Sequence, residues 1–85
     1  MEWDETKSET NRVKRGFGFE IANRFEWSSA FVERDDRKDY GEVRYRAFGK
    51  AGELKLCIAY TFRGPETRII SVRRMHEKEA RKYGF

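Results

Sequence analysis

The sequence holds a single cysteine, a single histidine and a single proline, and no apolar run approaches the roughly 20 residues that a membrane-crossing helix needs. Cys57 alone cannot close an intrachain disulfide, and its place inside an apolar strand-like run reads as a small core residue. One cysteine and one histidine do not furnish a protein zinc site, so neither a metal nor a cofactor is expected. The opening Met1-Glu2-Trp3-Asp4-Glu5 is acidic where a secretory leader is basic and then apolar, and the expected location is the cytoplasm, away from membranes.

Charge, by contrast, is abundant: 40% of the residues are Asp, Glu, Lys or Arg. Disorder is still not the expectation, because thirteen aromatic residues and the Ile, Leu and Val residues fall into periodic segments. At 85 residues there is room for one hydrophobic core, and a single domain spanning 1–85 is expected. The net charge of +4 is unevenly placed. Residues 1–62 carry twelve basic and twelve acidic side chains, whereas residues 63–85 carry seven basic against three acidic, which is the whole excess. Five of those seven are arginines, whose planar fork grips phosphate with two hydrogen bonds, so a polyanion is the partner this charge predicts.

Asp4 is a plausible N-cap for a first helix running through Arg15, poorly amphipathic and presenting Trp3 and Val13 as its apolar side groups. Gly16-Phe17-Gly18 breaks the chain. Phe19, Ala22 and Phe25, with Ile21 and Trp27, have helical spacing and predict a second, more buried helix ended by Ser28-Ser29. A short strand from Ala30 to Asp35 and a mobile charged loop from Asp36 to Gly41 follow. Three hairpin-ordered strands are then expected at Glu42–Phe48, Glu53–Arg63 and Thr67–Arg74, separated by the turn sequences Gly49-Lys50-Ala51-Gly52 and Gly64-Pro65-Glu66. Leu54, Leu56, Ile58, Tyr60 and Phe62 alternate along the middle strand and define its core face. Residues from His76 to Tyr83 favour a last short helix. The fold class is therefore α+β, with two N-terminal helices, a four-stranded antiparallel sheet and a short C-terminal helix.

Strict alternation in the last strand sets Ile69, Ser71 and Arg73 on one face and Arg68, Ile70, Val72 and Arg74 on the other. Glu42 and Arg44 lie two residues apart and share a face, where they serve either as a structural ion pair or as a carboxylate and guanidinium next to Arg63 or Arg73. His76 is the one side chain that ordinarily titrates near neutral pH. Tyr83 either closes the core or donates to a phosphate. These groups suit a nuclease that needs no metal, in which a base takes the 2′-hydroxyl proton while arginines stabilise the phosphorane. They suit equally a silent RNA-binding surface, or one that receives an acidic partner.

The N-terminal third carries a longer pattern: Trp3-Asp4, Lys7 three residues on, Asn11 four further, then Lys14, Gly16, Phe19 and Ala22. It continues through Gly41-Glu42, Arg44, Arg63, Arg68, Ile69, Ile70, Ser71, Arg73, Glu79 and Tyr83. In this order and spacing the chain resembles the BrnT toxin family, with Arg15 standing where the family has histidine. Arg15 precedes a helix-ending glycine, where a cation suits the helix C-terminus, which favours a structural role for that position. The resemblance implies a RelE-like fold and an endoribonuclease of a type II toxin-antitoxin system that cuts RNA without metal and so inhibits translation. It implies neutralisation by a BrnA-like ribbon-helix-helix antitoxin, which supplies the DNA contact when the pair represses its operon. Because the matching arginines coincide with the net-positive stretch of the chain, the catalytic set expected is Glu42, Arg63, Arg68, Arg73, Glu79 and Tyr83, with Glu42 or Glu79 the base and Tyr83 or His76 the proton donor. Arg44, Arg74, His76 and Lys78 form the wider RNA-binding set, and an antitoxin is expected to compete for the same surface.

Overall fold

A computed structural model describes residues Met1–Phe85. The chain runs through α1 (Glu5–Arg15), two short 3-10 turns (Phe19–Asn23 and Trp27–Ser29), β1 (Phe31–Arg34), β2 (Tyr45–Ala51), β3 (Leu54–Arg63), β4 (Glu66–Arg74) and α2 (Glu77–Tyr83). The strands form one antiparallel sheet in sequence order. The α+β class is as expected. No helix is long and apolar enough to cross a membrane.

Asp4 caps α1 by accepting the Lys7 amide at 3.0 Å, and Gly16 ends it in the left-handed region at φ 90°, a conformation that favours glycine. The face of α1 turned inward is polar rather than apolar. Val13 is 82% exposed, while Ser8 is buried and its hydroxyl accepts the Phe19 amide at 2.8 Å. Asn11 likewise donates to the Phe17 carbonyl at 2.9 Å, so α1 is held to the next segment by hydrogen bonds, with Trp3 packed against the core.

The second N-terminal helix is not formed; a five-residue 3-10 turn stands in its place. An α-helix here would join the Ala22 carbonyl to the Glu26 amide. Instead the Trp27 indole takes that carbonyl at 2.9 Å, and the Glu26 amide donates to the Lys50 carbonyl of β2 at 2.8 Å. The apolar side chains that suggested a helix are buried all the same, since Phe19, Ile21, Ala22 and Phe25 all belong to the core cluster with Leu56, Ile58 and Val72.

Strand boundaries also shift. β2 starts at Tyr45 rather than Glu42 and runs through Gly49 to Ala51, leaving a two-residue turn at Gly52-Glu53. Gly49 is in the strand because nothing larger fits: a Cβ there would sit 2.7 Å from the Phe25 ring and 3.2 Å from the Ala30 methyl. Gly49→Ala is accordingly expected to destabilise the fold by about 1–3 kcal/mol through overpacking, read as a lower melting temperature with unchanged circular dichroism at 20 °C.

The register of β3 with β4 slips between Ala59 and Tyr60, so that Ala59 faces Ser71 but Tyr60 faces Ile69, and Ile70 is the extra residue of a bulge. Directly opposed residues share a face. Thr67, Ile69, Val72 and Arg74 therefore follow Phe62, Tyr60, Ile58 and Leu56 on the side covered by α1 and the 3-10 turns. Arg68, Ser71 and Arg73 share the second side with Thr61, Ala59 and Cys57. Strict alternation had parted Arg68 from Arg73; the bulge reverses the phase and unites them.

Candidate functional site

The second sheet face is covered at one end by α2 and at the other by the segment that joins β1 to β2. That segment is pinned by five hydrogen bonds. The Thr61 hydroxyl donates to the Val43 carbonyl at 2.6 Å, the Asp35 amide donates to the Arg44 carbonyl at 2.8 Å, and the buried Asp35 carboxylate accepts from Arg37 at 2.8 and 2.9 Å and from the Tyr40 hydroxyl at 3.0 Å. The Arg37 guanidinium holds the Asp35 carboxyl far below the usual carboxylate range. The charged loop is thus tied at its root rather than free throughout.

Pinning residues 42–44 against β3 and β4 forms a polar recess of about 100 Å³. Arg44, Arg63 and Arg68 enter it from the pinned segment, β3 and β4, Lys7 and Asp4 from the start of α1, and Glu42 beside Arg44. Ile69 and the bulged Ile70 complete the wall. All of these eight residues belong to the pattern that carries the family resemblance. Within the recess Arg44 donates to Glu42 at 3.0 Å and lies 4.2 Å from the centre of the Tyr40 ring. Arg68 reaches Glu2 at 3.7 Å, and the backbone around Glu2 pairs with β4 through bonds of 2.9 and 2.8 Å. Lys7 and Arg63 have no ion-pair partner. A larger recess of about 290 Å³, walled by Met1, Trp27, Tyr60, Phe62 and Thr67, lies on the other side of the sheet and carries no charged side chain.

The α2 end of the same face holds the other candidates. Arg73 makes a two-bond pair with Glu79 at 2.8 and 2.9 Å, and Glu79 also accepts the His76 amide at 2.8 Å. The Arg73 guanidinium pulls the Glu79 carboxyl down to about 2, and Glu79 in turn raises Arg73. The His76 side chain is 70% exposed. Tyr83 stacks on Phe48 at 4.6 Å and on Phe31 at 5.3 Å, and its hydroxyl donates to Glu33 at 2.8 Å. Burial, reinforced by the Glu33 carboxylate, holds the Tyr83 phenol proton above its ordinary range. Tyr83→Phe is expected to cost about 1 kcal/mol of stability with α2 still in place, since only a hydrogen bond is lost and the stacking remains, as thermal unfolding and far-ultraviolet dichroism would show.

The sequence-derived set therefore divides. Glu42, Arg44, Arg63 and Arg68 meet in the recess; Arg73, His76, Glu79 and Tyr83 meet at α2. Arg68 opposes Thr61 and Arg73 opposes Cys57, four residues apart along β3. That is about 13 Å of strand, too far for two guanidiniums pinned to Glu2 and Glu79 to hold one phosphate. Lys78 is exposed on α2. Arg74 is not part of this face: it lies on the α1 side, bonded to the Arg15 carbonyl at 3.2 Å and 5.2 Å from the centre of the Phe17 ring. Arg15 is the last residue of α1, next to the capping glycine. Cys57 is buried as expected, and burial raises its thiol to about 11.

Two side chains of this face escaped the sequence reading. Glu33 of β1 and Arg46 of β2 are cross-strand partners and form an ion pair, with Tyr83 closing the group. The Tyr83 hydroxyl, then the Arg46 guanidinium, hold the Glu33 carboxyl below its usual range.

A small α+β domain with cations gathered on one sheet face, at the mouth of a polar recess that also holds carboxylates, is a polyanion-binding domain with acid–base groups at hand. The chain belongs to the BrnT family of ribonuclease toxins of type II toxin-antitoxin systems, whose family model matches residues 3–79. No curated protein and no solved structure matches it. Membership makes RNA its substrate and an antitoxin its partner.

Proposed function

We propose that residues 1–85 act as a single toxin domain that cuts RNA without metal, and that the Glu42 recess is its catalytic site. One observation carries the reading: an arginine triad, a lysine and a carboxylate from four separate segments converge on one pocket. Arg44, Arg63 and Arg68 bind the scissile phosphate and stabilise the charge of the phosphorane. Glu42 takes the 2′-hydroxyl proton, and Lys7 is the cation of the recess able to protonate the leaving 5′-oxygen. Glu79 is a poorer base, because a carboxyl held at about 2 has little affinity for a proton at neutral pH.

Cleavage of cytoplasmic RNA inhibits translation in this reading. A BrnA-like ribbon-helix-helix antitoxin neutralises the toxin by covering the same cations and brings the only DNA contact. The test is incubation of the purified chain with RNA in excess chelator. Attack by the 2′-hydroxyl leaves 2′,3′-cyclic phosphate and 5′-hydroxyl ends, and their appearance is the expected result. RNA that is bound with steep salt dependence but stays intact would reduce the chain to a binding module.

A further inference from the structure

The recess accounts for one phosphate, yet the face continues beyond it. Arg46 sits on β2 opposite Ala59, which in turn opposes Ser71 of β4. That row lies one pleat from the Thr61–Arg68 row, about 7 Å along the strands, and it is floored by the two smallest side chains of the face. The row crosses the strands between the recess and α2, with Arg46 on β2 and the exposed Ser71 on β4.

The Arg46 guanidinium is only partly used. Nη2 donates to Glu33, and the plane lies over the Phe48 ring with Cζ 5.3 Å from its centre. Nε is buried without any acceptor and closed to solvent, so Nη1, which bonds no protein group and is not buried, is the donor of the fork open to a ligand. A guanidinium has five N–H donors, and a buried one left unpaired calls for an explanation. Glu33 itself is held on its other oxygen by Tyr83, which fixes the orientation of the fork.

We infer that Arg46, oriented by Glu33 and Tyr83, forms a second anion subsite through its unbonded Nη1, and that it takes the RNA phosphate next to the one in the recess. The inference rests on the recess being the place where RNA is held. In it Glu33 is a positioning residue with two opposed effects: it aims the fork and, by its negative charge, weakens the fork's hold on phosphate. Arg46 then gives the RNA a direction over the sheet, from the recess at β3 and β4 toward β2, and sets the minimum substrate as single-stranded RNA with two adjacent phosphates.

The probe is a 2′-O-methylated oligoribonucleotide, which lacks the attacking hydroxyl and stays whole, so its binding is read whether or not unmodified RNA is cut. Failure to cut unmodified RNA would sink the nuclease reading and leave this assay standing. Arg46→Gln is expected to weaken binding roughly tenfold, as loss of a charge-assisted contact does, and to lower the slope of log K against log salt by about 0.7. Glu33→Gln keeps the hydrogen-bonding shape and removes the charge, and is expected to tighten binding several-fold. Arg24→Gln, an equal loss of charge remote from the face, is the control. If Arg46→Gln and Arg24→Gln lower affinity and slope alike, or if Glu33→Gln weakens binding, the subsite is wrong. Should Arg46→Gln fail to fold, Arg46→Lys, which keeps the charge and loses the fork, is expected to lose several-fold in affinity at unchanged slope, and unchanged affinity would overturn the assignment.

Discussion

Glu42→Gln is expected to lower the rate of RNA cleavage by roughly 10²–10⁴-fold, the usual contribution of a general base, and to relieve growth arrest in cells making the toxin without its antitoxin. Glutamine keeps the volume of the side chain and can still accept the Arg44 bond, so the recess should stay intact and RNA should bind at least as well once a negative charge is removed from beside three arginines. Loss of rate with retained binding is the signature of a group that acts on the proton. Single-turnover cleavage and binding of uncleavable RNA separate the two. Glu79→Gln is the contrast. Its carboxyl is saturated by Arg73 and the His76 amide, and the variant should retain cleavage within about tenfold per folded molecule. Were Glu79→Gln to lose the greater part of the rate and Glu42→Gln only a few-fold, the catalytic site would have to be moved to the α2 end.

The division of the face into two clusters was only partly legible in the sequence. The arginines were visible as the excess charge of residues 63–85, and the middle strand's alternation located the core face that Leu56, Ile58 and Tyr60 occupy. The bulge was not legible by strict period-2 counting, although the adjacent Ile69 and Ile70 mark the spot. Ile69 and Val72 are both buried on the core face at three residues' spacing, and a regular strand would put them on opposite faces. Glu33 and Arg46 stayed hidden for another reason. Ten residues separate β1 from β2, and a connection of that length does not fix a register the way a two-residue turn does. The missing second helix was decided by competition from outside the segment, where the Lys50 carbonyl and the Trp27 indole claim the groups that a helix would have joined. No local propensity reports such bonds.

Arg73 matched the same pattern as the recess arginines, yet its partner gives it a different expected effect. Arg73→Ala should cost about 2–3 kcal/mol of stability, because it leaves the half-buried Glu79 charge without the fork that now satisfies both its oxygens and loosens the grip of β4 on α2. For a domain of this size that is a fall in melting temperature of roughly 10–20 °C. The pair also predicts a pH dependence whose sign is fixed by the direction of the shift. Glu79 is held at about 2 in the folded chain, against about 4.3 for an unperturbed glutamate, so its contribution is fully present above about pH 4.3 and is lost as the pH falls toward 2. Its side chain keeps 18% of its surface in water, which screens the interaction, and about 2 kcal/mol of acid-sensitive stability is expected from it. Urea unfolding at pH 7 and pH 3 captures a little over half of it, about 1 kcal/mol, because the folded carboxyl held at about 2 is still mostly ionised at pH 3. The gap between the two pH values should shrink by about that amount in Glu79→Gln, while Arg73→Met paired with Glu79→Leu should restore much of the neutral-pH stability, since an apolar pair of similar volume carries no desolvated charge. An unchanged gap in Glu79→Gln would show that α2 is held by its aromatic stacking on Phe48 and Phe31 rather than by the ion pair.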